Sequence, residues 1–140
     1  MNSSPLDIYA VDLGVVSVTG PDAGSFLQSI LSQDLEPVGV GEGAPSLLLQ
    51  PQGKLVATLH ALRVADDEWW CITDESAGAA VAAGLDRFRI RVKADIADIS
   101  ASMGALALRG AGAADAAHSI SAAGVHHVSR RWGVDLVGAR

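Results

Sequence analysis

The chain is short of cysteine, of aromatic residues and of positive charge. Cys71 is the single thiol among 140 residues. No disulfide framework and no cysteine zinc site can form within one chain, and a cytoplasmic location is expected. Lys and Arg number 10 against 16 Asp and Glu, a net charge of −6, which argues against general nucleic-acid affinity driven by total charge. Long hydrophobic runs are missing as well. The apolar stretches are short, alanine-rich and broken by charge, so no membrane span is expected. The first five residues lack a basic segment and an apolar stretch, and no secretory signal is expected.

What is present is globular. Hydrophobic residues make up 49% and charged residues 19%, outside the range of disordered chains. The length predicts one domain over 1–140. A chain of this size buries roughly 70% of its unfolded surface.

The most informative stretch runs from Val16 to Asp34. Val16 and Val18 alternate with Ser17 and Thr19, the period of a half-buried strand. Gly20 and Pro21 punctuate it, and Pro21 suits a first helical position. Asp22 falls in the first turn, where the helix dipole favours negative charge. Ala23, Phe26, Leu27, Ile30 and Leu31 then mark one apolar helical face, predicting a helix over about Asp22 to Ser32. Before it, Ile8 to Leu13 reads as a strand that continues past Gly14 into Val15–Thr19. After it, Glu36 to Pro45 reads as a loop.

Ser46 to Leu49 opens a hairpin whose turn is Gln50-Pro51-Gln52-Gly53-Lys54, with Gly53 free to take positive φ. The return strand, Leu55 to Val64, is apolar on both faces and is expected to be central in its sheet. Trp69 to Ile72 pairs back. Asp74 can cap a second, alanine-rich helix. Arg87, Arg89, Arg91 and Lys93 alternate with Phe88, Ile90 and Val92, which reads as helix end into strand with one basic face. Ala94 to Ser100, Ala105 to Leu108, Val125 to Val128 and Val134 to Val137 complete the strands, with a helix over Gly110 to Ala123 and a basic turn at Arg130, Arg131 and Gly133.

One internal echo appears at an offset of ninety positions. Val16, Val18, Gly20, Ala23, Ser29 and Ile30 match Leu106, Leu108, Gly110, Ala113, Ser119 and Ile120. Two strand–glycine–helix units with a hairpin between them predict an α+β fold, a mostly antiparallel sheet with helices packed on one face.

The literal run V-T-G-P-D-A followed by F-L-Q-S-I-L-S-Q-D resembles the start of the YgfZ-type folate-binding proteins, relatives of the glycine-cleavage T-protein, an aminomethyltransferase. The similarity extends through Leu47–Leu49 with Pro51-Gln52-Gly53-Lys54, through Arg87 to Ser100 and Ala105 to Gly110, and into Trp132 to Gly138. The chain resembles the N-terminal half of that family. By this resemblance it would be a tetrahydrofolate-binding module supporting tRNA modification or iron–sulfur protein maintenance. A homodimer or a partner chain would be needed to complete the pocket.

Two departures bear on chemistry. The family's K-G-C-Y-x-G-Q-E signature is absent, so Cys71 does not inherit its role. Where the aminomethyltransferases carry aspartates on the strand after the glycine turn, this chain has Ala57 and Thr58, neither of which can act as a carboxylate. The resemblance therefore leans away from an enzyme, and no catalytic residue is assigned. A folate-dependent aminomethyltransferase-like enzyme and a ligand-free interaction module remain as alternatives.

The candidate ligand-binding residues are Gln52, Gly53, Lys54, Thr58, His60 and Trp70. Gln52, Gly53 and Lys54 would form a lip, with Lys54 facing the pterin or the glutamate tail, although turns favour these residues regardless. Thr58 and His60 share a strand face, Arg63 points the other way, and buried polar groups of this kind more often find structural partners. Trp69 and Trp70 face opposite ways, one for the core and one able to stack on a flat heterocycle. The strip Arg87, Arg89, Arg91 and Lys93 would hold polyglutamate or RNA phosphate, or protect a sheet edge. His126 and His127 diverge, and His60 and His118 have no ligand spacing, so no metal site is expected.

Overall fold

Two glycine corners, at Gly20 and Gly110, divide strand from helix in a computed structural model that describes residues 6–121, 126–130 and 133–139. Val125, Arg131 and Trp132 lie outside the described residues, as do the side chains of His118, His126, His127, Arg130 and all of 133–139. In chain order the elements are β1 (Asp7–Val11), β2 (Leu13–Thr19), α1 (Ala23–Ile30), β3 (Gly43–Leu49), β4 (Leu55–Ala65), β5 (Glu68–Asp74), α2 (Gly78–Arg87), β6 (Asp95–Asp98), β7 (Met103–Arg109), α3 (Ala113–Ser121), β8 (His126–Arg130) and β9 (Gly133–Ala139).

The fold is α+β, and among the described residues the strand pairing is antiparallel, in line with the mostly antiparallel sheet expected from two strand–helix units and a hairpin. Among the described residues there are two sheets rather than one, and the chain divides into two compact units, 13–101 and the segments 1–12 with 102–140. The expected continuous strand from Ile8 to Thr19 is broken at Asp12. β1 joins one sheet and β2 the other.

The unit 13–101 holds a five-stranded sheet in the order β3-β4-β5-β2-β6. Val16 and Val18 on β2, Ala57, Leu59 and Ala61 on β4, and Trp69 and Cys71 on β5 form one face. They pack with Phe26 and Leu27 of α1 and Val81 and Leu85 of α2 into one core. Both helices of this unit therefore cover the same face. β5, α2 and β6 form a crossover that places β5 and β6 on either side of β2. Ser17 is buried too, so β2 is covered on both sides rather than half-buried.

Three local readings differ from the observed elements. β3 starts at Gly43, because its pairing with β4 continues through Gly43 opposite Leu62. β4 has a neighbour on each side but is not the middle strand; β5 is. No strand covers 88–94. Arg91 takes a φ of +57° there, and Arg89 bends back to bond Asp86 Oδ1 (3.0 Å) and the Ala94 carbonyl (3.2 Å). The basic strip is thus an irregular connection, and the edge strand after it, β6, carries Asp95 and Asp98 instead.

The second unit has the strand order β1-β7-β9-β8. Leu108 of β7 packs with Ala113 and Ala117 of α3, with Leu6 and Ala116 against them. The ninety-residue echo is structural. β2 and β7 are each seven residues long and start ninety positions apart. Each ends at a positive-φ glycine whose carbonyl accepts the amide of the first helical residue, Ala23 (3.1 Å) or Ala113 (3.2 Å). Alanine at that residue, buried in both copies, lets the helix start close to its strand.

Candidate functional site

The candidate site follows from the parity of β4. With Ala57, Leu59 and Ala61 turned to the core, Thr58, His60 and Leu62 point to the other face. Burial along that row is graded: Leu62 is buried, His60 half-buried and Thr58 exposed. Register completes the face, with Leu47 opposite Thr58, Pro45 and Ile72 flanking His60, and Trp70 opposite Leu62.

At the open end of the row lies a pocket of about 320 Å³ lined by Thr58, Leu47, Pro45 and Ser46 together with Ser32 and Gln33. That volume is at the lower limit of small-molecule sites. Its rim is fastened by hydrogen bonds. The Ser32 amide donates to the Leu47 carbonyl (3.1 Å), the Leu47 amide to Ser32 Oγ (3.0 Å), and the Gln33 amide to the buried Ser46 Oγ (3.1 Å). A segment following α1 is thereby held as a short ledge against β3. Serine at 32 and 46 does this because its hydroxyl can accept from a backbone N–H while staying small.

Gln52, Gly53 and Lys54 form the hairpin tip. Gly53 has a φ of +90°, and the Gln50 amide donates to the Lys54 carbonyl (2.7 Å). All three are exposed. Lys54 immediately precedes β4 and is four residues from Thr58, about 13 Å of extended chain. Trp70 lies a similar distance beyond Thr58 in the other direction, opposite Leu62. It is buried, and its indole N–H donates to Glu68 Oε2 (3.0 Å). The six candidate residues therefore form a row along one sheet face and its hairpin. Thr58 is the one among them that lines the pocket.

Trp69 is the core tryptophan, 2% exposed, with the Arg63 guanidinium 5.7 Å above its ring. Arg63 indeed points away from Thr58 and His60. Cys71 is fully buried, and burial pushes its thiol up to about 12. Such a thiol is inert. The eleven residues of β4 contain no Asp or Glu, so this strand offers no carboxylate to a ligand. Among the described residues no group of three or more His, Cys, Asp or Glu could hold a metal ion, and no helix is long and apolar enough to cross a membrane.

What sequence reasoning missed is the ledge of Ser32, Gln33 and Ser46 and a second pocket beside Arg63 and Trp69. A serine or glutamine beside a helix end has no distinctive sequence signal, since its partner is set by strand pairing.

Comparison with known proteins bears on the family and the fold. The sequence profile of the GCVT N-terminal domain matches residues 9–133. An aminomethyltransferase of Lysinibacillus sphaericus is 35% identical over 57 residues, 41% of this chain and 16% of that protein. An aminomethyltransferase of Mycobacterium tuberculosis (strain H37Rv) is 34% identical over 73 residues, 52% of this chain and 20% of that protein. Among solved structures, the glycine cleavage system aminomethyltransferase T from Bartonella henselae superimposes with a TM-score of 0.76 at 17% identity, over 96% of this chain and 42% of that one. Heterotetrameric sarcosine oxidase from Corynebacterium sp. U-96 gives a TM-score of 0.62 at 13% identity, over 96% of this chain and 75% of that one. At these identities the two structures speak for the fold. The aligned stretches span at most a fifth of the two sequence relatives.

Proposed function

Because this chain belongs to the GCVT N-terminal domain family, we propose that it is a folate-binding module of the YgfZ type that does not itself catalyse one-carbon transfer. The observation that carries the reading is the row on β4: an open face with Thr58 at a pocket, His60 beside it, and no carboxylate on the strand.

Tetrahydrofolate is elongated, with a flat bicyclic ring at one end and glutamate carboxylates at the other. The row suits that shape. The pocket beside Thr58 takes the ring, and His60 follows two residues along the same face. Lys54, about 13 Å along the strand, meets the carboxylates, with Gln52 beside it and Gly53 permitting the turn. Trp70 backs the same face from within the sheet. Charge-assisted bonds from lysine to a carboxylate orient the ligand. A carboxylate is what this strand does not supply, so in this reading the bound folate is held rather than turned over.

The 140 residues act as one folate-binding domain in this reading. The aligned region is 42% of the Bartonella henselae protein, and a homodimer or a partner chain completes the ligand cavity. That a structural neighbour is a heterotetrameric enzyme supports a partner chain in this reading. The cellular role is support of tRNA modification or iron–sulfur protein maintenance in the cytoplasm.

Titration with tetrahydrofolate, followed by tryptophan fluorescence and thermal melting, tests the proposal. A saturable change in both is expected, with no uptake or release of a one-carbon unit. Absence of any saturable change refutes folate binding. Turnover of the one-carbon unit would instead restore the enzyme reading.

A further inference from the structure

On the helix-covered side of the larger unit, away from Thr58 and His60, lies a pocket of about 310 Å³ beside α1, Arg63 and Trp69. Two features set it apart. Arg63 Nε and Trp69 Nε1 are buried and have no hydrogen-bond partner. A buried donor left unpaired is destabilising, and here two such donors belong to adjoining side chains of one pocket. The rest of the guanidinium is committed: Nη1 donates to the Val38 carbonyl and Nη2 to the Asp66 carbonyl, both at 3.2 Å.

Of the remaining polar lining, Gln28 is already committed, its amide nitrogen donating to Asp34 Oδ1 (3.0 Å) and its oxygen accepting from the Leu35 amide (2.6 Å); the other groups present acceptors. Ser25 Oγ donates to the Asp22 carbonyl and Ser29 Oγ to the Phe26 carbonyl, so each presents lone pairs. Glu36 brings a carboxylate. Arg63 makes no ion pair with Glu36. Its salt bridge is a long one, 3.9 Å, to the exposed Asp66. One pocket therefore holds a cation and an anion that do not neutralise each other, two orphan donors and a set of acceptors. Leu35 and the Trp69 ring supply apolar wall.

We propose that this pocket binds a free α-amino acid with an apolar side chain. Its carboxylate meets Arg63 Nε and Trp69 Nε1, its ammonium meets Glu36 and the serine hydroxyls, and its side chain lies on Leu35 and Trp69. A zwitterion matches the pocket because a lone anion would face Glu36 and a lone cation would face Arg63. A rotation of the half-exposed Arg63 side chain admits the carboxylate to the two nitrogens. The site is independent of the folate reading, since it lies on the opposite face of the sheet.

The test is calorimetric titration of the full chain with L-leucine, and with two analogues lacking one charge, L-leucinamide and 4-methylpentanoate. Saturable binding of L-leucine is expected, at least about tenfold tighter than either analogue, because each analogue loses a charge-assisted contact. Glu36→Gln, on an exposed loop, should weaken L-leucine by a similar factor without altering the melting temperature. Arg63→Gln should abolish binding, provided its melt remains cooperative. The site is refuted if L-leucine does not bind, if either analogue binds as tightly, or if Glu36→Gln leaves affinity unchanged. Tetrahydrofolate added beforehand should not compete, so failure here and failure of folate binding are separate results.

Discussion

Gly20 and Gly110 stand ninety positions apart and hold nearly the same backbone conformation, with φ of +128° and +121°. Each lets a strand turn into a helix within three residues. At Gly20 the space is closed as well. A Cβ there would fall 2.4 Å from the Lys93 carbonyl oxygen, a backbone atom. Gly20→Ala therefore combines left-handed strain with a clash. It should destabilise the protein by about 2–4 kcal/mol, read as a lower midpoint in urea denaturation. A loss under 1 kcal/mol would mean that the corner is free to rearrange.

The same corner is tied to the connection before β6. The Asp22 amide donates to the Lys93 carbonyl (3.1 Å), and the Lys93 amide donates to Asp22 Oδ2 (2.9 Å). Asp22 thus serves a residue 71 positions away rather than its own helix terminus. Asp22→Ala should cost about 1–2 kcal/mol and Asp22→Asn less, since the amide oxygen still accepts. Equal losses for the two variants would show that charge, not the acceptor, is what matters.

Cys71 gives a pH dependence. Its thiol is raised from 9.0 to about 12 by burial. The unfolded chain releases this proton first, so the stability it lends is full below about pH 9 and is lost as pH rises towards 12. The slope there should approach 1.4 kcal/mol per pH unit, and Cys71→Ala should remove it. Alkylation at pH 8 should require unfolding, as followed by mass spectrometry in increasing urea.

For the folate row, Thr58→Trp fills the pocket from an exposed position. Stability should change by no more than about 0.5 kcal/mol, while tetrahydrofolate affinity falls by more than tenfold. Lys54→Ala should weaken binding roughly two- to fivefold, the scale of an exposed ion pair, and more for a polyglutamylated folate than for the monoglutamate. Unchanged affinity in Thr58→Trp would place the ligand elsewhere.

Much of this was legible in the residues. Period-two alternation marked β2, an apolar run on both faces marked β4, the apolar spacing from Ala23 to Ile30 marked α1, and the glycine echo revealed a repeated strand–helix unit. The face shared by Thr58 and His60, and the opposite direction of Arg63, followed from strand parity alone. The misread segments have a common cause. Arg87 to Lys93 alternates like a strand, yet Arg89 is drawn back to Asp86 and Asp95 (3.7 Å), and Arg91 takes positive φ. Local alternation is not pairing. The choice of Trp70 over Trp69 for an open face had no sequence warrant, and both proved buried.

Alternation, helical spacing and glycine placement depend on neighbours within a few positions, so the chain by itself determined which segments extend, which coil and where they turn. Sheet membership does not. Asp12 separates two strands that join different sheets, and β6 reaches β2 across some eighty positions. The pocket of Ser32, Ser46 and Thr58, and the unpaired nitrogens of Arg63 and Trp69, exist only once those distant strands are in register. Tertiary structure decided them, because their energies arise from contacts between residues that local preference cannot bring together.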